Sequence, residues 1–207
     1  MKGKFITFEG CEGVGKSRQL KLLQEYMDKN GVKYYLTREP GGSSVSEKIR
    51  EIILDGKNTE MTDECEAMLY AASRVQLLKE IIKPKLDNGE LVLCDRFVDS
   101  SLAYQGKARG LGYDFIESIN AYAIKNFTPD YTVFLKLPPE QAFKRKGGVD
   151  KTDRLELSGM EFHNNVYKGY LELAEKYPNR FIVIDASGTK EETHAKIVNA
   201  LKERGVL

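Results

Sequence analysis

Gly10-Cys11-Glu12-Gly13-Val14-Gly15-Lys16-Ser17 carries the residue types and spacing G-x-x-x-x-G-K-[ST] without a mismatch. Each type has a task. The glycines let the backbone turn tightly and bring several N–H groups onto one set of phosphate oxygens. Lys16 reaches β- and γ-phosphates, and the Ser17 hydroxyl is placed to ligate Mg²⁺. A helix starting at about Gly15 directs its positive end at the same anion. Gly10 to Arg18 are therefore the expected nucleoside-triphosphate site.

Other stretches carry chemistry less specifically. Asp95 ends the apolar run Leu91-Val92-Leu93-Cys94, where a carboxylate can hold Mg²⁺ directly or through water, and Arg96 beside it can fork onto a phosphate. Arg38-Glu39-Pro40-Gly41-Gly42 is a second breaker-rich loop with a phosphate-competent arginine. Tyr70 and Arg74 lie four residues apart, as do Ser101 and Gln105 with Tyr104 between them. An aromatic and an arginine on one face suit a planar base, and Ser with Gln suits an amide-like base edge; a core tyrosine beside a surface arginine fits the first pair equally well. Arg50 alone reads as a solvated helix residue. Lys144, Arg145, Lys146, Lys151 and Arg154 surround Gly147-Gly148, which fits either a solvated charge run or a lid bringing positive charge to a reacting phosphate.

The elements that must position these residues are short apolar runs at 4–9, 32–38, 91–95, 131–137 and 180–185, separated by helical patterns. Near-continuous hydrophobicity marks strands covered on both faces, and strand–helix alternation means right-handed crossovers in a parallel sheet. Ligands in such sheets sit beyond the carboxyl ends of the strands, where Glu9, Arg38-Glu39 and Asp95-Arg96 fall. Helices are expected over 46–54, with Ile49, Ile53 and Leu54 inward, over 64–86 with Pro84 and Asn88-Gly89 ending it, and over about 189–204. Phe162, Val166, Tyr170, Leu173 and Ala174 mark a further core helix. His163 and His194 read as surface residues without a role.

Composition narrows the classes. The chain has 207 residues, 32 Lys+Arg against 31 Asp+Glu, and a formal charge of +1, so nothing global argues for nucleic acid or an anionic membrane. Cys11, Cys65 and Cys94 have neither disulfide nor metal spacing, which suggests reduced thiols in a cytoplasmic protein. The N-terminus runs into a strand without room for a signal peptide, and no apolar run reaches transmembrane length. The expectation is one α/β domain over 1–207: a three-layer αβα P-loop NTPase fold, its five-stranded parallel sheet flanked by helices, with a short basic lid at about 143–156.

The sequence resembles bacterial thymidylate kinases along nearly its whole length. The resemblance rests on Phe5-Ile6-Thr7-Phe8-Glu9-Gly10 leading into the P-loop, Thr37 to Gly42, Tyr70-Ala71-Ala72-Ser73-Arg74, Asp95 to Gly106 and Asp153-Arg154-Leu155-Glu156. It implies the reaction ATP + dTMP giving ADP + dTDP, with Mg²⁺ as cofactor through Ser17 and Asp95, and a homodimer; the 64–86 helix could pack on its copy, but apolar spacing alone does not separate a core face from a dimer face. By the same resemblance Tyr70 stacks on thymine, Arg74, Ser101 and Gln105 read the base, and Tyr104 lies where a 2′-hydroxyl would sit. Arg38 and Arg96 hold the acceptor's 5′-phosphate, Arg50 contacts the base or its surroundings, and Glu12 lies near the 3′-hydroxyl. The P-loop has no arginine before Lys16 while the lid is basic, which is the lid-arginine type; Arg145, Lys151 and Arg154 stay open as alternatives. The expected catalytic set is Lys16, Arg38, Arg96, Arg145 and Arg154, with adenine near the lid and the 187–190 turn. A kinase for another nucleoside monophosphate and a nucleotide-switched binding protein are the competing readings, the base-reading set counting against the second.

Overall fold

In the computed structural model, which describes residues 3–146 and 158–207, the five apolar runs form one parallel sheet. Its strands are β1 (Phe5–Glu9), β2 (Tyr34–Arg38), β3 (Leu91–Asp95), β4 (Tyr131–Lys136) and β5 (Phe181–Asp185), in the order β2-β3-β1-β4-β5. Alternate side chains divide between two cores, the period of two that pleating imposes. Phe5, Val92, Cys94, Phe134 and Phe181 enter one cluster, and Ile6, Phe8, Leu93, Val133 and Leu135 enter the other. The second cluster is covered by α1 (Lys16–Lys29) and α10 (Lys190–Glu203), through Leu20, Leu23, Met27, Ile197 and Leu201. The first is covered by α3 (Asp63–Leu77) and α9 (Gly159–Lys176), among others. The three-layer α/β expectation holds.

Parallel strands end on one edge, and the register makes that edge a site. Arg38 and Phe8 both pair with Asp95. The ladder continues one residue further, Glu39 N–H donating to the Asp95 carbonyl and Arg96 N–H to the Phe8 carbonyl, both at 2.9 Å. The Gly10–Ser17 loop, Glu39 and Arg96 thereby leave the sheet side by side.

Three expectations need correction. The helix expected over 64–86 is a continuous run of α3, a wider π-turn stretch (Leu78–Ile82) and α4 (Lys83–Asp87). Pro84 falls directly after the wider stretch and the helix continues past it, so the chain stops only at Asn88-Gly89. His163 is buried, with Phe143 and Phe162 edge-on at 4.8 and 5.4 Å, because α8 (Pro139–Lys146) covers that face of α9. His194 is partly buried against the Tyr26 ring. Of α2 (Ser44–Leu54), Ile53 is fully buried while Ile49 and Leu54 are half-buried. Among the described residues no helix is long and apolar enough to cross a membrane.

Candidate active site

The turn after β1 needs glycine. Gly10, Gly13 and Gly15 have φ of 147°, 74° and 96°, and a Cβ at Gly10 would meet the Leu135 carbonyl at 2.9 Å. Gly15 caps α1, so that helix's free N–H groups open onto a cleft of about 1030 Å³. Gly13 to Gln19 form one wall; Arg145 and the turn Ser187–Lys190 form the other. Lys16 is buried with Nζ 3.8 Å from Asp95 Oδ1. That carboxylate oxygen is itself buried and has no hydrogen-bond partner among the described residues. Asp95 and Ser17 line an adjoining cleft of about 640 Å³ together with Arg38.

Arg96 is the hub of the next layer. It is held in the left-handed region, φ 68°, a conformation that costs a residue with a Cβ. Its Nη1 donates to the Gly10 carbonyl at 3.2 Å and to Ser100 Oγ and Tyr170 OH at 3.3 Å, while Nη2 pairs with the Glu12 carboxylate. The guanidinium lies 5.0 Å from the Tyr104 ring, whose hydroxyl donates to Glu12 at 3.2 Å. Behind it Glu9 accepts from Phe97 N–H at 2.7 Å, Ser100 Oγ at 2.6 Å and Tyr170 OH at 2.8 Å. Sequence reasoning gave Glu9 no role beyond ending β1 and read Tyr170 only as core. A carboxylate closing a fully buried strand was the one available signal.

Burial, reinforced by the neighbouring Asp99 charge, pushes Glu9 up to about 7 from 4.5. Between those values the folded chain keeps a proton that the unfolded chain has lost. Stability contributed here therefore falls as pH rises across that window, by at most ~1.4 kcal/mol per pH unit for one proton, and levels off above it. Glu9→Gln removes the titration. The melting temperature of the wild type, relative to this variant, is expected to drop between about pH 5 and about pH 7.5; parallel curves would reject it.

A second, narrow pocket of about 20 Å³ is lined by Tyr70, Arg74, Ser100, Ser101, Tyr104, Gln105 and Glu39 together with Glu12 and Arg96. That is room for about one water, so a planar ring must widen it. Arg74 is not a surface residue: it is 1% exposed. Its Nε donates to Glu39 Oε2 at 2.8 Å, Nη1 to Asn120 Oδ1 at 2.6 Å and Nη2 to Ser101 Oγ at 3.2 Å. Gln105 Nε2 donates to Glu66 Oε1 at 2.8 Å, and Arg109 Nη2 pairs with Glu66 Oε2 at 3.1 Å. Glu39 is pushed up to about 7 by burial, the Arg74 charge only partly offsetting it. Ser101 and Gln105 reach this pocket across a π-turn stretch, Leu102–Ala108.

Three candidates lie elsewhere. Arg38 pairs with Glu47 at 2.9 Å in the 640 Å³ cleft. Arg50 is neither a free surface residue nor a wall of the narrow pocket: its Nη1 donates to the Pro40 carbonyl at 2.9 Å. Arg145 donates to the carbonyls of Ala186, Ser187 and Gly188, tying α8 to the turn before α10. Lys151 and Arg154 lie outside the described residues, as does the expected lid beyond Lys146.

The sequence pattern of the family described as Thymidylate kinase matches residues 8–197. The chain belongs to the thymidylate kinase family. The protein named thymidylate kinase in Caldanaerobacter subterraneus subsp. tengcongensis is 47% identical over 203 residues, covering 98% of this chain and 97% of its own. That of Bacillus licheniformis is 46% identical over 208 residues, covering 98% and 97%. Every candidate residue named above falls inside the stretch matching the thymidylate kinase family.

Proposed function

We propose that the chain transfers the γ-phosphoryl group of ATP to the phosphate of dTMP, giving dTDP, as expected of a thymidylate kinase. The observation that carries this reading is that Glu12 lines both the P-loop cleft and the narrow pocket. A triphosphate cradle and a site for a small polar ring thus adjoin, with the Arg96 guanidinium at their junction. In this reading Lys16 and the loop N–H groups hold the donor phosphates, while Arg96 and Arg38 hold the acceptor phosphate in line. Tyr70 stacks on thymine, Arg74, Ser101 and Gln105 read its edge, and Tyr104 and Glu12 flank the sugar. No strong general base is required, because a phosphate oxygen is already anionic near neutral pH. Arg145, with three N–H groups on carbonyls, serves the adenine end of the cleft; Arg154 and Lys151 remain the candidates for the cation on the transferred group.

The residues present suit Mg²⁺. Asp95 Oδ1 is a buried oxygen without a hydrogen-bond partner among the described residues, and Ser17 adds a hydroxyl in the same cleft. No cluster of three or more His, Cys, Asp or Glu side chains is present among the described residues. One carboxylate plus a hydroxyl is what a cation held mainly by water and substrate phosphates requires. Bound there, Mg²⁺ supplies charge to the donor phosphates.

The reading is of a cytoplasmic, one-domain enzyme acting on two small molecules, ATP and dTMP, with no nucleic-acid or membrane partner. It also includes a homodimer. Val45 and Ile52 on α2 and Met68 and Val75 on α3 are between 36% and 52% exposed on two helices packed together, an apolar face that a second copy would cover. Sedimentation equilibrium is expected to give twice the 23.4 kDa chain mass, with Ile52→Glu shifting it to monomer; a monomeric wild type rules the dimer out.

The test of the activity is ADP release with ATP and Mg²⁺ while dTMP, dUMP, dCMP, UMP, AMP and GMP are offered separately. Strong turnover with dTMP, less with dUMP and almost none with the rest is expected. Turnover only on a different monophosphate overturns the substrate. No turnover on any overturns the kinase reading in favour of a nucleotide-switched protein.

A further inference from the structure

Two buried carboxylates, Glu39 and Glu66, hold residues of the narrow pocket, Glu39 accepting from Arg74 and Glu66 from Gln105. Glu66 is fully buried, and its charge is already met by Arg109. Glu39 is buried too, and its Oε1 has no hydrogen-bond partner among the described residues. An ion pair kept only for the fold gains nothing from an unsatisfied oxygen in a site-lining position, which is a cost.

Their effect on the pocket follows from donor and acceptor inventories. The oxygen and nitrogen ends of a glutamine amide are nearly isosteric, so Gln105 could face the pocket with either. An ionised carboxylate can only accept, so Glu66 fixes Nε2 towards itself and leaves Oε1 as the opposite end. Arg74 has five N–H groups. Glu39 accepts from Nε and lies 2.7 Å from Nη2 as its ion-pair partner, Ser101 accepts from Nη2 and Asn120 from Nη1, so an Nη1 N–H is left. The two readers together offer one acceptor and one donor.

We propose that Glu39 and Glu66 determine acceptor-base specificity by setting that polarity: Gln105 Oε1 accepts the N3–H and Arg74 Nη1 donates to O4 of a 4-oxo pyrimidine. A cytosine ring presents the reverse, an N3 acceptor and a 4-amino donor, and meets a mismatch at both atoms. Both glutamates are positioning residues, acting through Gln105 and Arg74. The inference rests on the nucleoside monophosphate kinase reading above and deepens it.

The experiment measures binding of dTMP and dCMP by calorimetry, and their turnover with ATP and Mg²⁺, on the full chain. Wild type, Glu66→Gln, Glu66→Asp and Glu39→Gln are compared, each checked for a cooperative melt. A site built around buried hydrogen-bonding groups is expected to prefer dTMP over dCMP by at least about 10³. Glu66→Gln lets the facing amide present either end, so the dTMP:dCMP ratio is expected to fall at least about tenfold, through KM more than kcat. Glu66→Asp keeps an acceptor-only partner and is expected to retain the preference. Glu39→Gln is expected to raise KM for dTMP about tenfold and lower the ratio. If Glu66→Gln does not fold, Glu39→Gln decides alone. A purely structural role predicts lower melting temperatures with an unchanged ratio, and that result overturns the inference. A wild type that does not bind dTMP overturns the substrate reading instead, which keeps the two failures apart.

Discussion

Lys16→Met is expected to reduce turnover of dTMP by about 10²–10³-fold while the chain stays folded, the size of loss seen when one preorganised donor to a developing anion is removed. Lys16 is buried along its stem, and an unbranched methionine fills that space with little strain. What disappears is the ammonium 3.8 Å from Asp95, at the mouth of α1. The triphosphate then loses the point charge that the loop N–H groups cannot supply, so KM for ATP rises along with the fall in kcat. Asp95 loses its cation too, but that carboxylate is partly open to water, so the cost in stability is small. Steady-state kinetics with saturating dTMP, beside a thermal melt, separate the two effects. A kcat/KM for ATP within about tenfold of wild type would exclude Lys16 from the donor-phosphate role.

Lys16 was legible because its chemistry is written in consecutive residues. The P-loop is local, and the parallel strands are nearly so: β1 and β3, covered on both faces, and the half-buried edge strand β2 appear as apolar runs ending in Glu9, Asp95 and Arg38. What the sequence could not supply is pairing across long separations. Glu9 meets Tyr170 161 positions away, and Arg74 meets Glu39 35 positions away. The four-residue spacing of Tyr70 and Arg74 gave a shared face but not its direction, so a buried reader and a surface arginine looked alike. The π-turn stretches announce themselves by no residue type, which is why the 64–86 helix was expected to be uniform. Arg145 carries the same lesson. Basic composition suggested a phosphate lid, yet its side chain goes to three backbone carbonyls, because α8 runs back beside the turn that precedes α10.

Arg96 combines a charge and a backbone state, and two substitutions at the same position separate them. Arg96→Ala removes the guanidinium that joins Gly10, Glu12, Ser100 and Tyr170. The acceptor phosphate then has no fork at the junction of the two cavities, and kcat/KM for dTMP is expected to fall by at least about 10³-fold, the range of arginines that act on phosphoryl groups. Alanine keeps the Cβ, and hence the strain of φ 68°. Arg96→Gly removes the same charge and releases that strain, so it is expected to be equally inactive yet about 1 kcal/mol more stable than Arg96→Ala in denaturant melts. Both variants remove the Arg96–Glu12 pair alike, so that loss cancels in the comparison. Turnover near the wild-type rate in either variant removes Arg96 from the acceptor site. Equal stability of the two would mean that the left-handed turn stores no strain, and that the Glu9–Ser100–Tyr170 frame alone sets where the guanidinium points.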